Sequence, residues 1–592
     1  MSNSLFRTKQ ISKIIADAEA GATSTHGTGL RRILSVRDLT FFGIAAIIGA
    51  GSFSSMGSAV ASGGPGVMFL FIMCGIACGF TAMCYAEFAS RIPVAGSAYT
   101  YAYASFGEMI AWIIGWALLM EYSIGNIYVA FAWSDYCTNL LESMGIGLPS
   151  YLATNYKAAH AAYIDNAAGA TLEAWNSAPK IGSLRIIFDM PALVINILIT
   201  WLVYTGVKES RNVSNVMVII KLAVVLLVIV VGAFYIDPEN WAPVNDIGIK
   251  SFLPNGFAGV MAGVSAVFFA YIGFDAVSTM AEESKNPQRD LPRGMIYSLV
   301  ICTVVYILLT LVLTGMAHYK QLDVGDPLAE VFKIKNIKWM EIFVSICAVA
   351  AMTSVMLVFQ LGQPRIWMSM SRDGLLPKQF QRIHPKYKTP SFATIITGLV
   401  VGVPILFTDE QFVLDFTSIG TLFAFVLVCG GVLLIPRKEK QAGKFHLPYI
   451  NAKFIYPLIV LGTLISVYVF YPVYFKTLFE FNLTAAESEV VKAAVTTPTL
   501  QKVQEALDSA LYAKRTLNIS TIIFWLTCIV LSILAFIKNL SLIPIMGLST
   551  CLYLLTGMSL SNWKWFLAWF GIGLLIYFLY GYRKSKLANE SR

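Results

Sequence analysis

The fold class the sequence predicts is an all-α polytopic membrane protein, and three observations lead there. Of the 592 residues, 57% are hydrophobic and 13% charged, with a mean hydropathy of +0.68, too apolar for a water-soluble chain of this size. A bilayer core about 30 Å thick asks for roughly 20 apolar residues per helix. Fourteen runs approach that measure, near 38–60, 67–90, 104–136, 189–207, 213–235, 256–281, 294–317, 339–370, 391–407, 411–435, 453–475, 517–537, 541–558 and 563–582. Finally, the first and sixth runs carry helix-breaking residues close to mid-depth.

Residues 1–37 are polar and basic without the apolar core of a signal peptide, which predicts a cytoplasmic N-terminal segment. Within it, "LFRTKQISKIIADAEA" sets Leu5, Ile11, Ile14, Ile15 and Ala18 near one helical face. That pattern suits a helix lying on the inner leaflet, or a polar tail with a chance periodicity. Fourteen crossings return the 583–592 tail to the cytoplasm. The short basic connections "KESRN", "KNPQRDLPR", "SRDGLLPKQFQRIHPKYK" and "PRKEKQAGK" then all fall inside, as the positive-inside rule requires. Two outer connections are long, 137–188 and 476–516; in the second, "ESEVVKAAV" and "LQKVQEALDSALYAKR" read as surface helices.

The first run contains "GIAAIIGAGSFSSMGSAV", Gly43 to Val60. Glycine costs about 0.8–1 kcal/mol relative to alanine in a helix interior. Counting from Asp38, a good N-cap, Gly49 to Gly51 lie roughly 17–20 Å into the core. In the sixth run, Ala270, Gly273 and Asp275 fall at similar depth. Ser52 and Asp275 are each placed to cap a second half-helix. Two such breaks five spans apart predict an inverted repeat, 38–235 against 236–435, followed by four further spans in 436–582. A half-helix N-terminus suits a carboxylate and freed carbonyls suit an ammonium group, so the breaks together suit a zwitterion. The other reading of span 1 is close packing of helices through small residues.

The nine cysteines lie in or beside apolar runs without metal-ligand spacing, and the five histidines keep to polar connections. No metal, cofactor or nucleic-acid partner is expected, and no nucleophile and base share a spacing that suggests an enzyme.

Several stretches resemble the cationic amino acid transporter family of the amino acid-polyamine-organocation superfamily, in a bacterial-type form. They are "RTKQISKIIADAE", "LTFFGIAAIIGAGSF", "YAEFASRIPVAGSAYTYAYASFGEMIAWIIGW", "FFAYIGFDAVSTMAEESKNPQRDLPRG", "GQPRIWMSMSRDGLLP" and "LYLLTGMSLSNWKWFLAWFGIGLLIYFLYG". The resemblance implies an alternating-access amino acid permease of the cell membrane, proton-coupled or exchanging. It implies that a substrate carboxylate meets amides at Ala50 and Gly51, and that its amino group meets carbonyls of Ile47, Phe269, Ala270 and Ile272. This chain has Ala50 where relatives often carry Thr, and "SFSS" where many have "IFV", so a hydroxyl contact is absent or moved to Ser52.

Charged residues within the runs are few. Lys221 lies about 12 Å from the inner start of span 5, within reach of the interface by snorkelling; the resemblance implies instead that its ammonium sits against span 1 carbonyls and exchanges a proton during transport. Glu121 in span 3 serves either as a structural hydrogen-bond partner or as a pocket or gate residue, and Asp275 is a second candidate for that role. Glu87 with Arg91, Glu282, Glu283 and Arg289, and Arg365 and Arg372 read as inner helix-end or gate charges. The rival couplings are exchange and sodium symport, for which Thr353 and Ser354 would supply hydroxyls. From another class, the chain reads as an amino acid sensor that keeps a transporter fold.

Overall fold

In a computed structural model, the structure describes residues 7–9, 34–92, 97–165, 169–182, 184–206, 211–244, 250–387, 389–434, 445–470, 472–484, 488–489, 491 and 500–587. The rest of the proposed N-terminal amphipathic helix and most of "ESEVVKAAV" lie outside them.

Helices form wherever the apolar runs allow. Eight described helices are long and apolar enough to cross a membrane, and five more are apolar but shorter. Their outward faces are bare hydrocarbon: Phe234, Phe407 and Phe470 are 72–84% exposed, far more apolar surface than water tolerates on a folded chain. We number the apolar helical segments in chain order and use "span" only as a label for each. Span 1 is Val36–Ile47 followed by Met56–Gly63, span 2 Val67–Arg91, span 3 Glu108–Ser143, span 4 Met190–Thr205 and span 5 Arg211–Ala233. Span 6 runs through Gly256–Ala262, Val264–Phe269 and Phe274–Glu283. Then come span 7, Pro287–Met316, span 8, Lys338–Arg372, span 9, Ser391–Ile405, and span 10, Glu410–Leu434. Spans 11 to 14 are Ala452–Phe470, Leu500–Lys538, Leu542–Thr556 and Leu560–Ile576.

One end of the bundle, the tail end, gathers residues 7–9, the short helix Ser97–Ser105 and Asp373. There Lys9 pairs with Asp373 at 3.1 Å, Tyr99 donates to the same carboxylate, and Arg91 Nε donates to Glu87 at 2.6 Å. The opposite, loop end carries the 137–188 connection, which holds helices Tyr156–Asp165 and Ala170–Ser177 and a two-residue-per-strand hairpin, Lys180–Ile181 with Leu184–Arg185. Its Lys157 forms an ion pair with Asp409 ahead of span 10.

Two expectations shift. Span 1 begins at Val36 rather than Asp38, because Ser35 is the N-cap and Asp38, three residues on, accepts from both its amide (2.9 Å) and its hydroxyl (2.6 Å), closing a capping box. "LQKVQEALDSALYAKR" is not a separate surface helix: it continues into span 12 as one 39-residue helix, since the residues that follow it, Thr516 to Ser520, hold no glycine or proline to stop the ladder.

Span 14 is fastened to span 3 by indoles. Trp112 Nε1 donates to Gly573 O at 2.9 Å, Trp116 Nε1 to Trp569 O at 2.9 Å, and Trp569 Nε1 back to Trp116 O at 3.2 Å. A methyl on Gly573 would meet Trp116 Cδ1 at 2.5 Å. We expect Gly573→Val to expel that indole and cost about 1–3 kcal/mol, read as a lowered melting temperature in detergent, whereas Gly571→Val, which has open space around it, leaves the melting temperature unchanged.

Candidate functional site

The first interruption begins when Ile48 turns to an extended conformation (φ −77°, ψ 99°), ending the helix at Ile47. The chain resumes as a wide π turn, Gly51–Ser55, before the α-helix restarts at Met56. Gly49 O accepts from the amides of Ser52 and Phe53 and from the Ser52 hydroxyl, each at 3.0 Å. Among the described residues, the amides of Gly49, Ala50 and Gly51 donate to nothing, as the first donors of a helix must unless something outside the helix accepts from them. Ser52 therefore closes its own turn and is not the cap the sequence suggested.

In span 6, the α-helix ends at Phe269 and a 3₁₀ helix begins at Phe274. Between them, Gly273 adopts φ +115°, a conformation that side chains rarely accept. Asp275 sits inside the first turn, beside the amides of Gly273 and Ala276, instead of ahead of it. The two interruptions touch: a Cβ on Gly51 would lie 2.4 Å from Ala270 Cα, and one on Gly273 would lie 2.9 Å from the Ala46 backbone.

Ile47, Ala50, Gly51, Phe269 and Ile272 all face one small cavity, walled also by Ala46, Gly49, Val129, Val355 and Phe359. Its volume is about 10 Å³, about what one water needs. An amino acid does not fit; this is a closed arrangement. Ala270 is not among its walls. The Tyr306 hydroxyl of span 7 lies 2.9 Å from both Ile47 O and Ala270 O, bridging carbonyls from the two interruptions. Phe269 O is likewise engaged, by the Ile272 amide at 3.1 Å.

Lys221 is buried, and its ammonium donates to Ala45 O at 3.3 Å, so it reaches span 1 rather than the interface. Glu121 is 2% exposed with one carboxylate oxygen unpartnered, as is one of Asp275, and the two groups are in electrostatic contact. Glu87 and Arg91 meet at the tail end, where Glu87 also accepts from the Leu447 amide at 2.7 Å. The side chains of Glu282 and Glu283 lie outside the described set. Thr353 donates to Val349 O and accepts from Trp133, and Ser354 donates to Ala351 O.

Sequence reasoning missed Tyr306, because one tyrosine in an apolar run forms no pattern. It also missed a clasp above the cavity on the loop side. Ser54, from the unusual "SFSS", donates to Glu410 at 3.0 Å and lies 3.1 Å from the Tyr128 hydroxyl, while Tyr136 donates to Phe53 O at 2.6 Å. A carboxylate at the start of a span, in "FTDEQF", was the available signal.

Residues 34–485 match the family model "Amino acid permease". The branched-chain amino acid permease BcaP of Bacillus subtilis is 41% identical over 440 residues, 74% of this chain and 87% of the relative. The methylthioribose transporter of the same organism is 38% identical over 463 residues, 78% and 91% of the two chains. Cationic amino acid transporter 4 of Homo sapiens is 30% identical over 593 residues, covering 95% and 89%.

Two outcomes follow from this geometry. Tyr306→Phe leaves both bridged carbonyls without their hydroxyl, so we expect a stability loss of about 1–3 kcal/mol, measured by thermal unfolding; an unchanged melting temperature would show the bridge contributes nothing. At the loop end, Asp326 caps the helix Pro327–Ile334 and accepts from the Asn139 amide. Burial pushes its carboxyl up to about 6, above the ordinary aspartate value of about 3.9. The folded chain thus holds this proton more tightly than the unfolded one, and stability rises as pH falls from about 6 toward 4. Asp326→Asn flattens that rise in a pH series of melting temperatures.

Proposed function

We propose a transport cycle on the premise that the chain belongs to the amino acid permease family. It is a secondary active amino acid permease, proton-coupled, that binds its substrate where spans 1 and 6 lose their helices. The observation that carries this reading is the meeting of the two interruptions at one cavity, with the Lys221 ammonium on Ala45 O next to it. The fourteen spans form an inverted pair of five, 38–235 and 236–435, with 436–582 packed alongside, and the tail end lies in the cytoplasm.

The chemistry follows from unsatisfied groups. A substrate carboxylate takes the free amides of Gly49, Ala50 and Gly51, aided by the positive end of the resumed helix. Its ammonium group competes with Tyr306 for Ile47 O and Ala270 O and offers three donors where the hydroxyl offers one. To admit an amino acid, the closed cavity must widen, and the movable walls are Phe269 and Phe359. Glu121 and Asp275, buried with unpartnered oxygens, suit a cationic side chain.

Coupling works through Lys221. A buried ammonium is held by its partner carbonyl; losing a proton leaves a neutral amine, which removes the charge, weakens the bond that ties span 5 to the first half of span 1 and frees that half to move. Sodium symport is disfavoured because the ammonium already stands at a span 1 carbonyl. Exchange and a non-transporting sensor are outcomes of the test.

In proteoliposomes, we expect a pH gradient, acid outside, to drive uptake of labelled alanine or arginine, with competition by other amino acids defining the substrate range. Lys221→Ala should abolish gradient-driven uptake while retaining some exchange. Wild-type uptake in that variant would refute proton coupling through Lys221. Uptake only against preloaded amino acid means an exchanger, and binding without flux in the unsubstituted protein means a sensor.

A further inference from the structure

A second recess lies away from the candidate site, on the apolar outer face of the bundle. Between spans 4 and 9 lies an open groove of about 400 Å³, lined by Asn196, Ile197, Thr200, Trp201, Ile395 and Leu399 and ending at Tyr204. From Asn196 to Tyr204 it follows about 12 Å of helix. Its walls are exposed hydrocarbon, with Ile197, Trp201 and Leu399 each more than half exposed. The spans approach closely behind it: a Cβ on Gly398 would meet the Thr200 side chain at 2.5 Å.

The Asn196 and Thr200 side chains of its floor are already engaged. Asn196 Nδ2 donates to Gly398 O at 3.1 Å, and Gln360 Nε2 of span 8 donates to Asn196 Oδ1 at 3.0 Å and to Thr200 Oγ1 at 3.1 Å. The Thr200 hydroxyl donates to Asn196 O at 2.7 Å. The rest of the lining is mostly hydrocarbon, so the groove suits an acyl chain.

Its tail-end rim has a different chemistry. The Tyr204 ring packs on His384 and Tyr387, and Thr389 donates to Tyr204 O at 2.9 Å, which brings the connection before span 9 over the groove mouth. In that connection Arg382 and Lys386 are exposed, with the Lys386 ammonium over the Tyr387 ring. A basic rim at the end of an apolar slot in a membrane-facing surface is complementary to an anionic headgroup on a hydrocarbon chain.

We propose that the groove between spans 4 and 9 holds an anionic phospholipid, its acyl chain along Ile197, Thr200 and Leu399 and its phosphate at Arg382 and Lys386. Occupancy holds span 4 against span 9 at the place where Asn196 bonds Gly398 of span 9 and Gln360 ties span 4 to span 8. The inference requires only that these helices face a bilayer and does not depend on the transport reading.

The test is thermal unfolding of the purified full chain in detergent with dioleoylphosphatidylglycerol, dioleoylphosphatidylcholine or inorganic phosphate added. We expect phosphatidylglycerol to raise the melting temperature by several degrees, phosphatidylcholine to raise it less and phosphate not at all. Arg382→Gln with Lys386→Gln should bring the phosphatidylglycerol effect down to that of phosphatidylcholine. Leu399→Trp, which fills the slot, should remove both lipid effects; should it not fold, Leu399→Ala, which strips one wall, should diminish both. Equal shifts from the two lipids in the unsubstituted protein, a full phosphatidylglycerol shift in the double variant, a phosphatidylglycerol shift undiminished in the Leu399 variant that folds, or a shift from phosphate alone would each overturn the proposal.

Discussion

Inside hydrocarbon, a backbone that leaves its helix must find partners at once, because no water is there to supply them. The rest of this structure is arranged around that constraint at Ile48–Gly51 and Ala270–Gly273. Neither interruption satisfies itself. Gly49 O is served from within its own turn, but Ile47 O and Ala270 O depend on the hydroxyl of Tyr306 in a third span. The small side chains follow from the same requirement, since any Cβ on Gly51 would collide with the Ala270 backbone. Spans 3 and 8 then close the gap with Val129, Val355 and Phe359.

This arrangement is stable and yet incomplete. Packing is close, the cavity holds about one water, and three amides at the head of the resumed helix remain unpaired. Unpaired buried donors are costly, and proteins keep them where a ligand, or a change of shape, supplies the partner. The clasp of Ser54, Tyr128 and Glu410 on one side and the contact of Lys221 with Ala45 O on the other hold the two halves of span 1 to different neighbours. Each half is thus held by its own contacts, which a continuous helix would not require.

Much of this was legible in the sequence, for a physical reason. Helix breakers are conspicuous against an apolar background, so Gly49 to Gly51 and Gly273 marked the interruptions, and a lone Lys221 in "VMVIIKLAVV" demanded an explanation. Residues whose importance depends on a distant partner left no such mark. Tyr306 acts through carbonyls some 36 and 259 positions away, and Glu410 through a serine 356 positions away. Ser52 and Asp275 were placed in the correct turns with the wrong partners, because capping preference names the residue type but not which carbonyl or amide lies nearest. The length of span 12 escaped notice because charge in "EALDSALYAKR" suggested a break that helical backbone does not require.

That 39-residue helix has a practical consequence. At 1.5 Å per residue it is about 58 Å long, nearly twice the hydrocarbon thickness, so a substantial part of it stands clear of the bilayer as a rigid rod. The incoming chain is lashed along it, where Asn518 donates to Thr477 O and Glu480 O and Arg515 to Phe481 O. Together with the 137–188 connection, this rod offers an asymmetric landmark and an accessible epitope, a handle by which an antibody fragment or an imaging experiment can orient the whole molecule.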